Sequence, residues 1–298
     1  MALSADGSVA VSHASRQPEI LLGLIGQDIQ ASRTPEMQMA EGEAQGLRVV
    51  YRLMDLTRLG LGPDQLPDLL RAAELTGFNG LNITHPCKQL VIPHLDELSD
   101  DARALGAVNT VLFREGRRIG HNTDWSGFAE AFRHTMRGAP LGRVVQLGAG
   151  GAGSAVAHAI LTLGTRELTI FDIDEARAAD VADNLCAHFG PGRARAGVDR
   201  EAEIGTADGL VNATPIGMEA HPGLPLDPAL LRPELWVAEI IYFPLETELL
   251  RRARALGCRT IDGAGMAVYQ AAAAFRHFTG RDPDAERMAA TFDALGTS

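Results

Sequence analysis

Hydrophobic positions fall into short apolar runs that alternate with amphipathic segments from Ile20 onward. Ile20–Ile25 predicts a strand. Pro35–Gln45 predicts a helix, with proline in its first turn and Gly46 closing it. Arg48–Met54 then predicts a strand, Pro63–Thr76 a helix ended by Gly77, and Phe78–Ile83 a third strand. A further helix leads into Ala107–Phe113. The alternation predicts a mostly parallel sheet covered by helices. A second series follows Asp124. Trp125–Arg137, Ala155–Leu163, Glu175–His188 and Glu246–Leu256 read as helices. Arg143–Leu147, Glu167–Phe171, Arg195–Val198, Gly209–Asn212 and Trp236–Ile240 read as strands. Two closing helices, Ala264–Phe278 and Asp284–Leu295, follow no strand pairing and are expected to pack back on the first unit. Met1–Pro18 shows no apolar period and reads as a disordered leader, without the charged start and apolar core of a secretory signal.

Composition narrows the function. The length of 298 residues gives a soft expectation of two domains. The net charge of −11 leaves no basic surplus to displace phosphate counterions, which argues against nucleic acid as a partner. No apolar run is long enough to span a bilayer, so no membrane role is expected. Cys87, Cys186 and Cys258 are isolated, forming neither a disulfide scaffold nor a metal cluster; no metal is expected, and a reducing cytoplasm fits. Among 27 basic side chains only one, Lys88, is lysine. Arginine does not give up its proton in a protein, whereas lysine can act as an acid or base. The count alone leaves that reading level with chance survival of one lysine.

Gly148-Ala149-Gly150-Gly151-Ala152-Gly153 lies between a predicted strand and a helix rich in small residues. The first glycine suits a tight turn, the second a close approach of backbone to a pyrophosphate, and the third close packing of helix on strand. The following strand ends at Asp172, where a carboxylate can accept hydrogen bonds from ribose hydroxyls and would repel a 2′-phosphate. Ile173 offers a phosphate no partner. Arg177 is the one counter-indication, and on a helix face it can equally pair with an acid. NAD is therefore favoured over NADP. The expected architecture is α/β in two domains, the second a doubly wound, Rossmann-type dinucleotide-binding domain.

Three stretches in the first half carry polar chemistry. Asn82-Ile83-Thr84-His85-Pro86-Cys87-Lys88 follows a strand, placing the lone lysine at a sheet's carboxyl edge. Asn109-Thr110 lies in the next strand, and Asn122-Thr123-Asp124 at the junction of the two halves. Each Asn or Thr alone also reads as a turn former or helix cap.

Together with Val211-Asn212-Ala213-Thr214-Pro215-Ile216-Gly217-Met218 and Gly265-Met266 followed by Gln270-Ala271, these motifs resemble the shikimate dehydrogenases in order and spacing, from Ser32 to Gln270. The resemblance implies a substrate-binding domain over 19–123 plus 264–298 and a Rossmann domain over 124–263. It implies Lys88 and Asp124 as the catalytic pair, with Asn82, Thr84, Asn109 and Gln270 on the ring hydroxyls of the substrate. Ser32 and Thr34 would hold its carboxylate and Tyr242 would face it. Asn212, Ala213, Thr214, Met218 and Gly263 would border the nicotinamide. Ser32 and Thr34 also precede a helix start, so helix capping is an alternative for both, and Tyr242 could equally be a core aromatic.

The sequence departs from the common family pattern in several places. Ser32-Arg33-Thr34 stands for Ser-x-Ser, and 27–31 replaces the usual Pro and His. Asp172-Ile173-Asp174 stands for an Asn-Arg-Thr stretch, Cys87 for a bulkier residue, and Glu239 for an Asp. The first and third departures are similar to the NAD-dependent quinate/shikimate branch, which tends toward quinate catabolism rather than aromatic amino acid biosynthesis. The expected reaction is reversible oxidation of a ring hydroxyl of quinate or shikimate, by a monomer or homodimer. A shikimate-only enzyme, a dehydrogenase of an amino analogue, and a catalytically silent quinate sensor are the alternatives.

Overall fold

The computed structural model describes residues 18–297; the expected leader lies almost wholly outside them. Two six-stranded sheets organise the chain. The first contains β1 (Glu19–Gly26), β2 (Arg48–Asp55), β3 (Gly80–Ile83), β4 (Glu97–Leu98), β5 (Thr110–Arg114) and β6 (Arg117–His121), in the order β2-β1-β3-β5-β6-β4. The second contains β7 (Arg143–Leu147), β8 (Glu167–Phe171), β9 (Ala194–Ala196), β10 (Gly209–Asn212), β11 (Trp236–Glu239) and β12 (Thr260–Ile261), in the order β12-β11-β10-β7-β8-β9.

Every pairing in the second sheet is parallel, whereas β5 runs antiparallel to both β3 and β6 in the first. The expectation of a mostly parallel first sheet holds for the β1–β2, β1–β3 and β4–β6 pairings, and β5 alone runs against its neighbours. Glu115-Gly116, both at positive φ, makes a two-residue hairpin turn between β5 and β6 that the apolar pattern did not reveal. Arg117-Arg118 hides β6 because arginines occupy its start. The helix predicted from Ala155 begins four residues earlier, at Gly151, since the glycine-rich turn is itself its first turn.

Both sheets reverse strand order at their centre. In the second, β7 leads to β8 on one side while β10 lies on the other, so the loops after β7 and β10 meet at a topological switch point. In the first, β1 leads to β2 on one side and β3 lies on the other. The loops after β1 and β3 are then bonded to each other, through Gln27 N–H to the His85 carbonyl at 2.9 Å and Thr84 N–H to the Ile25 carbonyl at 2.9 Å.

Helix Asp124–Thr135 joins the lobes and packs along Gly263–Thr279 so closely that a Cβ on Gly127 would lie 2.6 Å from the Gln270 nitrogen. The Gly263–Thr279 helix also covers β1 and β2 with Ala274, Phe275 and Phe278. The last helix, Ala285–Ala294, packs Met288 and Phe292 against Met37 of helix Thr34–Ala44, on the first lobe. Among the described residues no helix is long and apolar enough to cross a membrane.

Candidate active site

The loop after β3 turns through a cis His85–Pro86 bond into a short helix, Cys87–Leu90, whose second residue is Lys88. Asp124 opens the helix that joins the lobes, its N–H held by the Asn122 side-chain oxygen at 3.0 Å. These two elements bring Lys88 Nζ to 2.7 Å from Asp124 Oδ2. Both side chains are at least partly withdrawn from water, where such a charge-assisted bond is short and directional.

A buried amide network supports the pair. Asn109 Nδ2 donates to Thr123 Oγ1 at 3.0 Å, and Asn109 Oδ1 accepts the Thr123 N–H at 2.7 Å, fixing the residue before Asp124. The Asn82 amide donates to the Thr110 hydroxyl at 3.2 Å and its oxygen accepts the Tyr51 hydroxyl at 2.8 Å. Tyr51 is buried, which pushes its phenol well above the ordinary range, so it stays a donor. Asn82 and Asn109 thus already spend polar atoms on the scaffold. By contrast, the Thr34, Thr84 and Tyr242 hydroxyls have no partner among the described residues.

Helix Thr34–Ala44 has no side-chain cap, and Ser32 Oγ accepts the Thr34 N–H at 3.4 Å. Ser32 therefore reaches the first helical N–H only at long range and Thr34 caps nothing, so both hydroxyls stand at a helix start where partial positive charge favours an anion. Tyr242 and Phe243 are half-exposed, which removes the core-aromatic alternative for Tyr242. Gln270 bonds only its own helix, Nε2 to the Ala267 carbonyl at 3.1 Å.

In the second lobe, Gly148 sits at φ +97° and a Cβ there would lie 2.5 Å from the Ala213 carbonyl oxygen, so the switch point closes only over glycine. Beyond Gly150 and Gly151 nothing lies within 4 Å of where a Cβ would project. That open cradle at a helix N-terminus suits a pyrophosphate. Asp172 Oδ2 accepts the Ala149 N–H at 2.7 Å, and its Oδ1 accepts the Asp174 N–H at 2.9 Å. Asp174 caps the next helix, and Arg177 lies 3.5 Å from Asp172 and 3.3 Å from Asp174. Ile173 is fully exposed beside them. Asn212 Oδ1 accepts the Thr214 hydroxyl at 2.7 Å, shaping the turn that Ala213, Thr214 and Met218 follow. Gly263 abuts the end of β11, where a Cβ would meet the Ile240 carbonyl at 2.4 Å.

Sequence reasoning passed over several residues that hold the site. Asp55, at the end of β2, accepts the Asp28 N–H at 3.1 Å, the Ile29 N–H at 3.2 Å and Gln30 Nε2 at 2.8 Å, pinning the loop before Ser32. Those bonds hold its carboxyl below the usual range despite burial. Tyr51 and Gln146 act similarly, Gln146 Nε2 donating to the Gly148 and Gly153 carbonyls at 2.8 Å each. A polar residue within an otherwise apolar strand was the available signal for all three.

A two-lobed α/β protein with a lysine–carboxylate pair and a dinucleotide cradle is the architecture of a nicotinamide-dependent oxidoreductase. The family model for the shikimate dehydrogenase substrate-binding domain matches residues 24–111, and that for the shikimate 5′-dehydrogenase C-terminal domain matches 263–291. A shikimate dehydrogenase (NADP(+)) of Streptomyces avermitilis is 59% identical over 94% of this chain and 97% of its own length. A quinate/shikimate dehydrogenase (NAD(+)) of Corynebacterium efficiens is 53% identical over 93% of this chain and 98% of its own. The solved structure of quinate dehydrogenase from Corynebacterium glutamicum in complex with NAD superposes with a TM-score of 0.89 at 50% identity, covering 93% of this chain and 99% of that one. The chain belongs to the shikimate dehydrogenase family.

Proposed function

We propose that this protein is an NAD-dependent quinate/shikimate dehydrogenase. The observation that carries the chemistry is the 2.7 Å contact of Lys88 Nζ with Asp124 Oδ2 beside the switch-point loops of the first lobe. A ring hydroxyl bonded to both can pass its proton to the neutral Lys88 amine on oxidation and recover it from the ammonium on reduction, with Asp124 holding that hydroxyl and orienting Nζ. Thr84, with its hydroxyl unengaged, and Gln270 supply further ring contacts, while Asn82 and Asn109 offer the substrate what their scaffold bonds leave. Ser32 and Thr34 hold the substrate carboxylate at the uncapped helix start. Tyr242 closes over the ring.

When bound, the nicotinamide supplies the hydride acceptor or donor. The residues that would hold the dinucleotide are the turn from Gly148 to Gly153, Asp172, Ile173 and Arg177 at the ribose, and Asn212, Ala213, Thr214, Met218 and Gly263 at the ring. NAD is the expected cofactor because the Asp172 carboxylate just after β8 would repel a 2′-phosphate on a ribose bound there, and because Arg177 is already shared between Asp172 and Asp174. Relatives named for NADP(+) and for NAD(+) both match this chain over nearly its full length, so the choice is read here from these side chains. The three free cysteines fit a cytosolic enzyme.

Absorbance at 340 nm with quinate or shikimate, each with NAD or NADP, tests the reading. NADH formation on both acids, with NADP much poorer, is expected. Activity confined to shikimate with NADP would overturn the cofactor and branch assignments. A folded, NAD-binding protein that is silent in all four combinations would point to an amino analogue or a sensor.

A further inference from the structure

Glu239 is the most deeply buried carboxylate beside the cofactor edge, and the mechanism above does not use it. It ends β11 in direct register with Asn212 at the end of β10. Its two oxygens accept from Asn212 Nδ2 at 3.1 and 3.0 Å. The same carboxylate accepts the Ile241 N–H at 3.2 Å and the Thr247 hydroxyl at 3.1 Å. Asn212 Nδ2 also reaches the Ile216 carbonyl at 3.1 Å, and Asn212 Oδ1 holds the Thr214 N–H at 3.1 Å. One side chain therefore ties two loops. The first runs through 213–218 along the nicotinamide side. The second, 240–247, carries Tyr242 and Phe243 and caps the following helix through Thr247. A cavity of about 430 Å³ lies between them, lined by Gly217, Met218, Phe243 and Thr247 among others.

We propose that Glu239 is a positioning residue: it fixes the Asn212 amide in one orientation and thereby sets the nicotinamide-side loop and the Tyr242 loop in mutual register for hydride transfer. The inference rests on the proposed dehydrogenase reading. Every group facing the carboxylate is a donor, so an acceptor on both oxygens is what the site requires. Burial nevertheless pushes the Glu239 carboxyl up to about 7, against the pull of those donors. An amide in its place would turn an NH₂ toward Asn212 Nδ2 or Thr247. The Asn212 amide would then be free to flip, presenting an NH₂ to the Thr214 N–H and releasing the first loop. Because misplacing reacting atoms by about 1 Å can cost about 100-fold, the expected deficit is in turnover rather than in cofactor affinity, which the glycine turn and ribose contacts dominate.

The test compares Glu239→Gln with Glu239→Asp, which keeps both acceptors on a shorter stem. Glu239→Gln should lower kcat about 10- to 100-fold, leave the NAD dissociation constant within about threefold, and raise amide hydrogen exchange in 213–218 and 241–247 together in cofactor-free protein. Glu239→Asp should restore most of kcat. In an Asn212→Ala background, Glu239→Gln should add little further loss, because both act through one amide. A folded Glu239→Gln variant with near-normal kcat, a fully additive loss in that background, or faster exchange in only one loop would overturn the proposal. If Glu239→Gln does not fold, Thr247→Val removes the hydroxyl's bond to the carboxylate together with its cap of the following helix, while the Ile241 N–H stays bonded; slower turnover with faster exchange in 241–247 supports the assignment and unchanged turnover contradicts it. Wild-type protein assayed alongside reports on the dehydrogenase reading separately, since exchange and NAD affinity do not depend on which acid is the substrate.

Discussion

The two carboxyl edges of this molecule are built on opposite principles. The first lobe fills its switch point with side chains: Lys88, Asp124, Asn82, Asn109 and Thr123 form a connected set in which most polar atoms are engaged. The second lobe keeps its switch point bare. Gly148 and Gly153 let backbone touch backbone, Gly150 and Gly151 open onto empty space, and Asp172 is the one acidic side chain held against the turn. Recognising a ring hydroxyl and moving its proton needs directional side chains, whereas holding a pyrophosphate needs exposed N–H groups and a helix start. Damage to the first edge should accordingly appear as lost turnover, and changes at the ribose end of the second as altered cofactor choice.

Lys88→Ala makes the sharpest division between the edges. A positioned acid/base group contributes about 10²–10⁴-fold, so kcat should fall by that much while NAD affinity, measured by calorimetry, stays near wild type. Equal losses in both would show that the two edges are not separable.

At the second edge, Asp172→Asn combined with Ile173→Arg should raise the NADP-to-NAD ratio of kcat/KM by about 10- to 100-fold. The variant removes a repelling charge and adds a charge-assisted bond, keeping an acceptor for the Ala149 N–H while giving up the one for the Asp174 N–H. An unchanged ratio would mean the ribose lies elsewhere.

A smaller effect is expected where the lobes touch. His158, on the helix that follows the glycine turn, is buried among Trp125, His188 and Phe189, and its Nε2 lies 3.8 Å from Asp101 of the first lobe. Burial, aided by His188, pushes its imidazole down to about 4, and burial does the same to His277. A histidine with a depressed folded value binds fewer protons folded than unfolded, so stability should be lost as pH falls from about 6.5 toward 4. Glu239, raised to about 7, acts with the opposite sign: it costs stability as pH rises from about 4.5 to 7. The lowered His121 imidazole and the lowered Glu41 and Asp55 carboxyls act with these histidines and the raised Asp101 carboxyl acts with Glu239, so the net slope should be acid destabilisation. His158→Gln should flatten the fall in urea midpoint between pH 6.5 and 4, on the order of 2 kcal/mol at the acid end. A midpoint with the same pH dependence as wild type would remove His158 from the account.

The second edge was far more legible in the sequence than the first. Strands β7, β8 and β10 fall where the apolar runs place them, because a fully covered parallel sheet writes continuous hydrophobic strands. Its glycines announce the turn directly. In the first lobe, β6 begins with two arginines and β4 is two residues long, so neither produces a period. Lys88 and Asp124 were paired by the family resemblance alone, since their contact depends on a connecting helix whose close fit rests on Gly127. Of the residues that hold others in place, Asp55 and Tyr51 showed only as polar side chains in a strand and Glu239 only as a departure from the family pattern, and neither signal says what the side chain will bond.

The most direct test of the central claim is single-turnover reduction of NAD by quinate or shikimate in Lys88→Arg. This variant keeps the positive charge beside Asp124 and loses the transferable proton. A rate at least about 100-fold below wild type, with NAD affinity unchanged, is the expected result. A rate within a few-fold of wild type would show that Lys88 contributes charge alone, and that the proton leaves by another route.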